Sequence, residues 1–436
     1  MTSTTKTGPN GFAQLMLACC LAGTAALSAG PAGAQSAYDC RGLESHAALP
    51  AIEGIDGTFF AIQPELQSHH GLGDATIAML SDLNLALAAR GTTLVLLPVP
   101  TRAQTLTHQL PTAAADLGYD VALSTSVHVG MVARLTAAGI TVADPLPDLR
   151  IAAANGAKPF FEADPRPTAA GMQLLAKTVA SALSAHPNLT GLTRGMFRST
   201  AGAQVTLAST MRLQLQLACQ SELPAVTTQA FTTIKAANGP VNNGNLVLLG
   251  ADATATSELN LTGFISEQTG LFSLGYGVVG GGAFAAISSY LTSADFQAAP
   301  PRVIVWELPT SASLASHGDQ PLRELVVAAG NKCEMAVPVT RLAETNRLRA
   351  DLGQMLLQSN ATLLLDGGSS DMPFVRFHFT DADGLVRTRS IYRHGDQLLT
   401  GRFYLPLSGL NIASLRSVEI EGAQPFGFQA RLATCS

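Results

Sequence analysis

The residues best suited to bind a charged ligand lie in an arginine-rich segment near the C-terminal end, where residues 385–393 read LVRTRSIYR. A β-strand places alternate side chains on opposite faces, so the arginines of this segment would share one face. Asp396 is the only acid between residues 385 and 402, which leaves the segment strongly positive. The candidate binding residues are four arginines and one tyrosine: Arg387, Arg389, Tyr392, Arg393 and Arg402.

A row of this kind suits a polymer that carries one carboxylate on each sugar. The planar guanidinium group binds a carboxylate through two parallel hydrogen bonds, and Tyr392 or Tyr404 offers a ring for stacking on a sugar. An acidic polysaccharide is therefore one ligand that such a row could bind. The alternative is that the row is a solvated outer face of a sheet and binds nothing.

Two further clusters resemble ligand sites but lack essential members. His69, His70 and Asp74 have no further ligand at a matching spacing, so we expect polar surface or a packed turn and no metal. The glycines of Gly277–Gly282 lack both the Walker lysine and the dinucleotide spacing, so no cofactor is predicted. Basic residues are not interleaved with aromatic ones and the formal net charge is -5, which argues against a nucleic acid partner.

The first 34 residues have the features of a secretory signal peptide. Lys6 precedes the apolar run Phe12–Ala26, and Ala32-Gly33-Ala34 forms an A-x-A-like cleavage site. Lipidation at Cys19 or Cys20 is a weaker alternative, because the residues before them fit the usual small-residue box poorly. No later segment reaches the roughly 20 apolar residues of a membrane helix. We therefore expect an exported protein, located in the periplasm, without a membrane span after cleavage.

Four cysteines follow the signal segment: Cys40, Cys219, Cys333 and Cys435. Their even number and the absence of a C-x-x-C spacing favour disulfides over metal binding in an oxidising compartment. Three pairings are possible. The pairing of Cys40 with Cys219 and of Cys333 with Cys435 keeps each bridge within one half of the chain.

The chain from residue 52 to about 329 alternates between helices and continuous apolar strands, which is typical of a mostly parallel sheet covered on both faces. The predicted helices are Thr76–Arg90, Met131–Ala138 and Ala169–Leu183. The predicted strands are Thr92–Val99, Thr141–Ala143, Asn245–Leu249 and Arg302–Trp306. Residues 195–235, which carry Cys219, interrupt this rhythm and are predicted to pack beside the sheet.

After Cys333 the pattern changes to short strands with alternating polar and apolar residues. The predicted strands are Phe374–Phe379, Val386–Tyr392 and Gly401–Leu405. Turn residues such as Asp383-Gly384 and Gly395-Asp396 separate them. This pattern indicates an antiparallel β-sandwich of about a hundred residues.

Several stretches in this order resemble the alginate O-acetyltransferases of the AlgX and AlgJ type. They are Glu53–Phe60 (EGIDGTFF), Leu94–Arg102 (LVLLPVPTR), Pro301–Pro309 (PRVIVWELP) and the arginine-rich sandwich. The resemblance implies an α/β fold with an SGNH-hydrolase-like domain over residues 38–332. A β-sandwich carbohydrate-binding-like module would then cover residues 333–436.

Members of that family carry a D-x-H-W-T-P-x-G segment and a G-T-S segment, which supply a Ser-His-Asp triad. In this chain the corresponding positions hold Asp164, Arg166 and Asp252, and Pro167 replaces the tryptophan. Arginine stays protonated at neutral pH and cannot take a proton from a nucleophile. The resemblance therefore implies a degenerate triad, and whether any enzymatic activity remains is open.

Arg166 would lie between Asp164 and Asp252 if the two segments meet as they do in the family. The acid–base triad would then be replaced by a carboxylate–arginine–carboxylate network, for which the planar guanidinium is well suited. The alternative is that the pocket has opened and both groups are solvated.

The expected function is that of a periplasmic protein of alginate-type exopolysaccharide biosynthesis that binds the polymer. One alternative is an active O-acetyltransferase with a different nucleophile. Another is a structural partner of an active paralogue. The expected partners are an acidic exopolysaccharide such as alginate and other periplasmic proteins of polymer export or acetylation.

Overall fold

A computed structural model describes residues 36–435 apart from 185, 191, 237–244, 317, 331, 334, 343–345, 354, 356, 359 and 369–371. Its first half is built on a five-stranded sheet in which all neighbouring strands are parallel. In spatial order these strands are Thr141–Val142, Thr93–Val99, Val303–Pro309, Asn245–Gly250 and Phe272–Gly277. The strand Thr93–Val99 is buried at every position, as expected for a strand with helices on both faces.

Helices cover both faces of this sheet, and the sheet separates two apolar cores. The longer helices are Asp74–Ala88, Val121–Ala137, Leu146–Ala154, Ala169–Leu183, Leu261–Thr269, Ala285–Thr292 and Gln320–Gly330. The shorter helices are Ile62–Glu65, Arg102–Thr105, Ala113–Asp116, Thr210–Gln216, Asp252–Ala255 and Ala294–Ala298. Side-chain caps fix the first residues of several helices. The Asp120 carboxylate accepts hydrogen bonds from the backbone N–H groups of Ala122 and Leu123, and the Thr168 hydroxyl accepts one from the N–H of Gly171.

Two small antiparallel pairs lie beside the parallel sheet. Ala51–Glu53 pairs with Phe59–Ala61, and Phe197–Thr206 pairs with Thr227–Lys235. The second pair and the helix between its strands form the interruption predicted for residues 195–235. The Cys40–Cys219 disulfide joins this region to the start of the described chain.

From Met335 onward the chain forms two antiparallel sheets around a third apolar core. The inner sheet, in spatial order, is Met335–Val337, Arg431–Cys435, Thr362–Asp366 and Arg402–Pro406. The outer sheet is Thr340–Arg341, Arg347–Asp351, Leu415–Gly422, Phe374–Asp381 and Val386–Tyr392. The Cys333–Cys435 disulfide ties the entry of this sandwich to its last strand.

The sandwich is joined to the parallel-sheet half by polar contacts as well as by apolar packing. Arg393 binds Glu324 on the helix Gln320–Gly330 through two hydrogen bonds of 2.9 and 2.5 Å. The two side chains are 6% and 3% exposed, so this ion pair is buried in the junction. Gln397 contacts the hydroxyl groups of Ser288 and Ser289 at 3.2 and 3.0 Å.

The predicted fold class and the predicted disulfide pairing are confirmed. Some element bounds differ: the predicted helix Met131–Ala138 is the second half of Val121–Ala137. The domain limits at residues 38–332 and 333–436 stay predictions. The predicted signal peptide lies outside the described residues, and none of the described helices has the length and hydropathy of a membrane span.

Candidate functional site

A cavity of about 420 Å³ lies at the carboxyl ends of the parallel strands, where ligands bind in open α/β folds. Val99, Gly250 and Pro309 end three neighbouring strands there. Of the three residues predicted at the triad positions, Arg166 and Asp252 line this cavity, which we call the strand-end cavity. Its charged lining residues are Glu65, Arg166, Asp252 and Glu307.

Arg166 and Asp164 form a bidentate ion pair, which we call the fork. Its Nε donates to Oδ1 at 2.8 Å and one terminal nitrogen donates to Oδ2 at 2.7 Å. Burial alone would lower the pKa of Arg166, but the hydrogen bonds and charge of Asp164, with the charges of Asp252 and Glu258, raise it above its ordinary value. The Asp164 side chain is 3% exposed, so Arg166 is the cation that compensates a buried carboxylate.

The second half of the predicted bridge is absent. Arg166 directs its other terminal nitrogen to the Thr256 hydroxyl at 3.0 Å, and no ion pair joins it to Asp252 within the part of the chain that the structure describes. Thr256 in turn donates to the backbone carbonyl of Asp252 at 2.7 Å. The connection between the two segments therefore passes through a threonine hydroxyl, and the Asp252 carboxylate remains at the cavity wall.

The glycine-rich turn Gly277–Gly282 contributes Gly280 and Gly282 to the wall beside Asp252. The Gly280 N–H donates to Oδ1 of Asp252 at 3.4 Å, a long hydrogen bond. Both Gly280 and Gly282 have positive φ angles of 66° and 57°, which glycine adopts without steric cost. The turn thus brings one backbone donor to Asp252, the residue predicted at the nucleophile position.

Glu307 is a buried acid of the cavity that the sequence analysis missed. It lies near the end of the strand Val303–Pro309 and is 2% exposed. Burial raises the pKa of Glu307 from 4.5 to about 7, hydrogen bonds from Thr254 oppose the rise, and the charge of Asp252 adds to it. The signal in the sequence was an acid within an otherwise apolar buried strand, IVWEL.

A second buried ion pair contributes Glu65 to the lining of the cavity. Arg102 is fully buried and its Nε donates to Glu65 at 2.8 Å. A terminal nitrogen of Arg102 also donates to the backbone carbonyl of Glu162 at 3.1 Å. The charge of Glu65 is therefore compensated by Arg102, and Arg102 also holds the segment that precedes Asp164.

The strand-end cavity borders a larger cleft between the parallel-sheet half and the sandwich, which we call the junction cleft. The cleft measures about 680 Å³. Gly280, Gly282 and Ala312 line both spaces, so one open surface leads from Asp252 to the sandwich. Tyr392 stands at the sandwich side of the cleft.

The predicted arginine row shares one face, but it is the face that turns inward, because Ile391 between the arginines is 3% exposed. Arg389 donates to the carbonyls of Pro406 and Ser408 at 2.8 and 2.7 Å. Arg393 binds Glu324, as described above, and Arg402 donates to Asp366 at 3.3 Å. Arg387 is exposed. A continuous free row of guanidinium groups is therefore not present.

The outer sheet presents a different polar surface on the face that carries Tyr392. Tyr392 is 63% exposed, and its ring lies 5.6 Å from that of Phe374. Hydrogen bonding from Arg376 lowers the pKa of the Tyr392 hydroxyl. The neighbouring charged residues on this outer face are Arg347, Arg349, Arg376, His378, Glu419 and Glu421. Tyr404, the other candidate for stacking, is 1% exposed and is not available.

The remaining sequence candidates, His69, His70 and Asp74, do not assemble into a group of metal ligands. His69 and His70 line a small cavity of about 90 Å³, and burial lowers the pKa of His70. Asp74 pairs instead with Arg134. No group of three potential metal ligands occurs among the described residues. Carbohydrate binding at the predicted arginines stays a prediction.

Residues 52–310 match the family model described as SGNH hydrolase-like domain, acetyltransferase AlgX. The chain is 26% identical over 357 residues to the alginate biosynthesis protein AlgX of Pseudomonas aeruginosa. The aligned region covers 78% of this chain and 72% of that protein. It is 27% identical over 325 residues to the protein of the same name from Azotobacter vinelandii, and this alignment covers 71% of this chain and 64% of that protein.

Solved structures agree with this match at the level of the fold. The structure of Pseudomonas aeruginosa AlgX superposes with a TM-score of 0.78 at 21% identity and covers 92% of this chain and 97% of that one. The O-acetyltransferase domain of Pseudomonas putida AlgJ superposes with a TM-score of 0.51 at 21% identity and covers 63% of this chain and 98% of that one. Both halves of the fold are therefore shared with the first structure.

Proposed function

The chain belongs to the AlgX family of SGNH hydrolase-like acetyltransferase domains, and on that premise we propose that it serves exopolysaccharide biosynthesis by binding the polymer without transferring acetyl groups. The observation that carries the proposal is the fork between Arg166 and Asp164 at the positions that correspond to a catalytic His and Asp. The carboxylate that would orient an imidazole is bound to a guanidinium that cannot act as a base.

Acyl transfer needs a nucleophile whose proton is taken by a base within hydrogen-bond reach. Asp252 stands at the position predicted for the nucleophile, and its side chain is a carboxyl group without the hydroxyl that a serine would supply. Thr254 has a hydroxyl bonded to Glu307, but Thr254 does not line the strand-end cavity. The pair of Thr254 and Glu307 therefore does not place a nucleophilic hydroxyl at that wall.

The open surface from Asp252 to Tyr392 supports polymer binding. The strand-end cavity and the junction cleft, at about 420 and 680 Å³, are within the size range of ligand pockets. Beyond the cleft, the exposed Tyr392 ring and the arginines of the outer face offer stacking and hydrogen bonds to sugars. We propose that a polysaccharide chain runs along this surface.

An acidic exopolysaccharide such as alginate is the first ligand to test, because the relatives are named alginate biosynthesis proteins. The proposed location is the periplasm, which agrees with two disulfides in the structure. Other periplasmic proteins of polymer export or acetylation are the proposed protein partners.

The test combines an esterase assay with ligand titration of the purified protein. An acetyl ester that releases a chromophore is offered to the native protein and to Asp252→Ala, and oligomannuronate is titrated by calorimetry. We expect no turnover above background together with saturable oligosaccharide binding. Turnover that disappears in Asp252→Ala would show an aspartyl mechanism and overturn the proposal. Lack of binding by every oligosaccharide tested would overturn it as well.

A further inference from the structure

We infer that the strand-end cavity binds a sugar unit through two adjacent free hydroxyl groups, both of which donate hydrogen bonds to the Asp252 carboxylate, and that it excludes units whose hydroxyls are O-acetylated. The inference rests on the proposed function, because it names the form of the polymer that binds at the same surface. It follows from the hydrogen-bonding capacity that Asp252 and Arg166 leave unused at the cavity wall.

Asp252 presents acceptor oxygens whose capacity is largely unused within the described part of the chain. The side chain is half-buried and lines the cavity. The hydrogen bond that its carboxyl group receives from the described residues is the long one of 3.4 Å from the N–H of Gly280 to Oδ1, and Oδ2 receives none. A carboxylate has about four lone-pair sites, so most of this capacity is available to a ligand.

Asp252 can accept hydrogen bonds but cannot donate them. Burial raises the pKa of Glu307, and the negative charge of Asp252 adds to that rise. The side chain of Asp252 is thus a carboxylate, which has acceptor oxygens only. A ligand group that binds it needs an O–H or N–H donor, and in a polymer of uronates the hydroxyl groups are the donors.

Arg166 leaves little donor capacity at the same wall. Its Nε and one terminal nitrogen donate to Asp164, and the second proton of that nitrogen goes to the carbonyl of Ala208 at 2.7 Å. The other terminal nitrogen donates to Thr256. A guanidinium group has five N–H donors, so one remains for an oxygen of the sugar, including one of a uronate carboxylate. The free capacity of the wall therefore lies mainly in the acceptor oxygens of Asp252.

Two neighbouring hydroxyls of a pyranose match a carboxylate, because each of its oxygens can accept one hydrogen bond. A 1,4-linked uronate unit has such a pair on C2 and C3. O-acetylation replaces the hydroxyl proton with an acyl group, so the donor is lost and a carbonyl oxygen, which is another acceptor, is added. A site that binds a hydroxyl discriminates against an analogue without it, because the polar group of the site is left unpaired. Acetylated units should therefore stay outside the strand-end cavity.

The test compares oligomannuronate with the same oligomer after chemical O-acetylation, each titrated by calorimetry at constant pH and salt. The variant Asp252→Asn keeps one acceptor oxygen and gains an amide that can donate to an ester carbonyl. The matched control is Asp82→Asn, which makes the same chemical change at an exposed residue of the helix Asp74–Ala88 that does not line the cavity. Melting curves verify that both variants fold.

We expect the native protein to bind the free oligomer roughly tenfold more tightly than the acetylated one, the scale of one hydrogen bond to a charged group. This ratio should fall to about threefold or less in Asp252→Asn, whose amide can bind the ester, and should stay at the native value in Asp82→Asn. Acetylation also removes hydroxyls that would bind elsewhere on the surface, so the change in the ratio between native protein and variant is the decisive quantity.

An equal ratio in native protein and Asp252→Asn, or tighter binding of the acetylated oligomer by the native protein, would overturn this inference and leave the proposed function intact. Failure of both oligomers to bind would overturn the proposed function itself.

Discussion

Glu307 holds the turn that begins at Asp252, because its Oε2 accepts hydrogen bonds from both the backbone N–H and the hydroxyl of Thr254. The N–H bond measures 3.0 Å. Glu307, a buried acid on the strand Val303–Pro309, thus fixes the position of Asp252, which lines the strand-end cavity after the neighbouring strand. Gly250 leaves the space for this contact, since a Cβ there would lie 2.1 Å from Oε2 of Glu307.

The first prediction concerns the pH dependence of stability. The pKa of Glu307 is raised from 4.5 to about 7 in the folded protein, so the folded state retains a proton that the unfolded state releases. The contribution of this group to stability is full below the unfolded pKa and is lost as the pH rises through about 7. The loss should amount to about 3 kcal/mol, at 1.4 kcal/mol for each pH unit.

Glu307→Gln should remove this dependence. We expect the difference in unfolding free energy between native protein and variant to shift in favour of the variant as the pH is raised from about 5 to about 7. Chemical denaturation at several pH values measures it. Parallel curves for the two proteins across that interval would contradict the raised pKa of Glu307.

The second prediction concerns the Arg166–Asp164 fork. Arg166→Ala leaves the Asp164 carboxylate buried without a cation and should destabilise the fold by about 3 kcal/mol. The double variant with Asp164→Ala should recover part of that loss, because the unpaired charge is gone. Lys158→Ala, which breaks an exposed ion pair with Glu162, should change stability by less than about 1 kcal/mol. Equal effects of Arg166→Ala and Lys158→Ala would contradict the assignment.

The third prediction concerns the junction between the sandwich and the parallel-sheet half. Arg393→Ala leaves Glu324 buried and should destabilise by about 3 to 5 kcal/mol. Arg431 also pairs with an acid, but its side chain is 70% exposed, so Arg431→Ala should cost less than about 1 kcal/mol. Thermal unfolding of both variants provides the comparison. A small effect of Arg393→Ala would mean that the apolar packing alone holds the junction.

The fourth prediction concerns polymer binding on the outer sheet. Tyr392→Ala should weaken oligosaccharide binding by about threefold to tenfold through loss of a stacking surface, with little change in melting temperature. Phe428, which is 89% exposed, is the matched control, and Phe428→Ala should leave the affinity unchanged. Binding that is insensitive to Tyr392→Ala would exclude the outer face as part of the polymer path.

The alternation of apolar strands and helices was sufficient to predict the class of the fold. The helix Ala169–Leu183 was predicted with the correct bounds, because Thr168 caps it and its apolar face is regular. The helix Val121–Ala137 was predicted only in its second half. Its first half reads VALSTSVHVG, in which β-branched residues and a glycine obscure the helical period, although Asp120 provides a cap.

The site was predicted less completely, since its chemistry depends on pairs that are distant in sequence. Glu324 and Arg393 are separated by 69 positions and Glu65 and Arg102 by 37, and neither pairing leaves a periodic signal. The alternation rule correctly put the sandwich arginines on one face but could not tell whether that face points inward. The buried Ile391 decides it.

The buried ion pair between Arg393 and Glu324 also has a consequence for the proposed binding of a polymer. Because the ion pair is buried and fixes the sandwich against the parallel-sheet half, the junction cleft has its shape before a ligand arrives. The entropy cost of binding then falls almost entirely on the polysaccharide, whose linkages lose rotational freedom along the cleft. A stiff glycan loses less conformational freedom on binding than a flexible one. Of two glycans that make the same contacts, the one with the longer persistence length should therefore bind more tightly in the cleft.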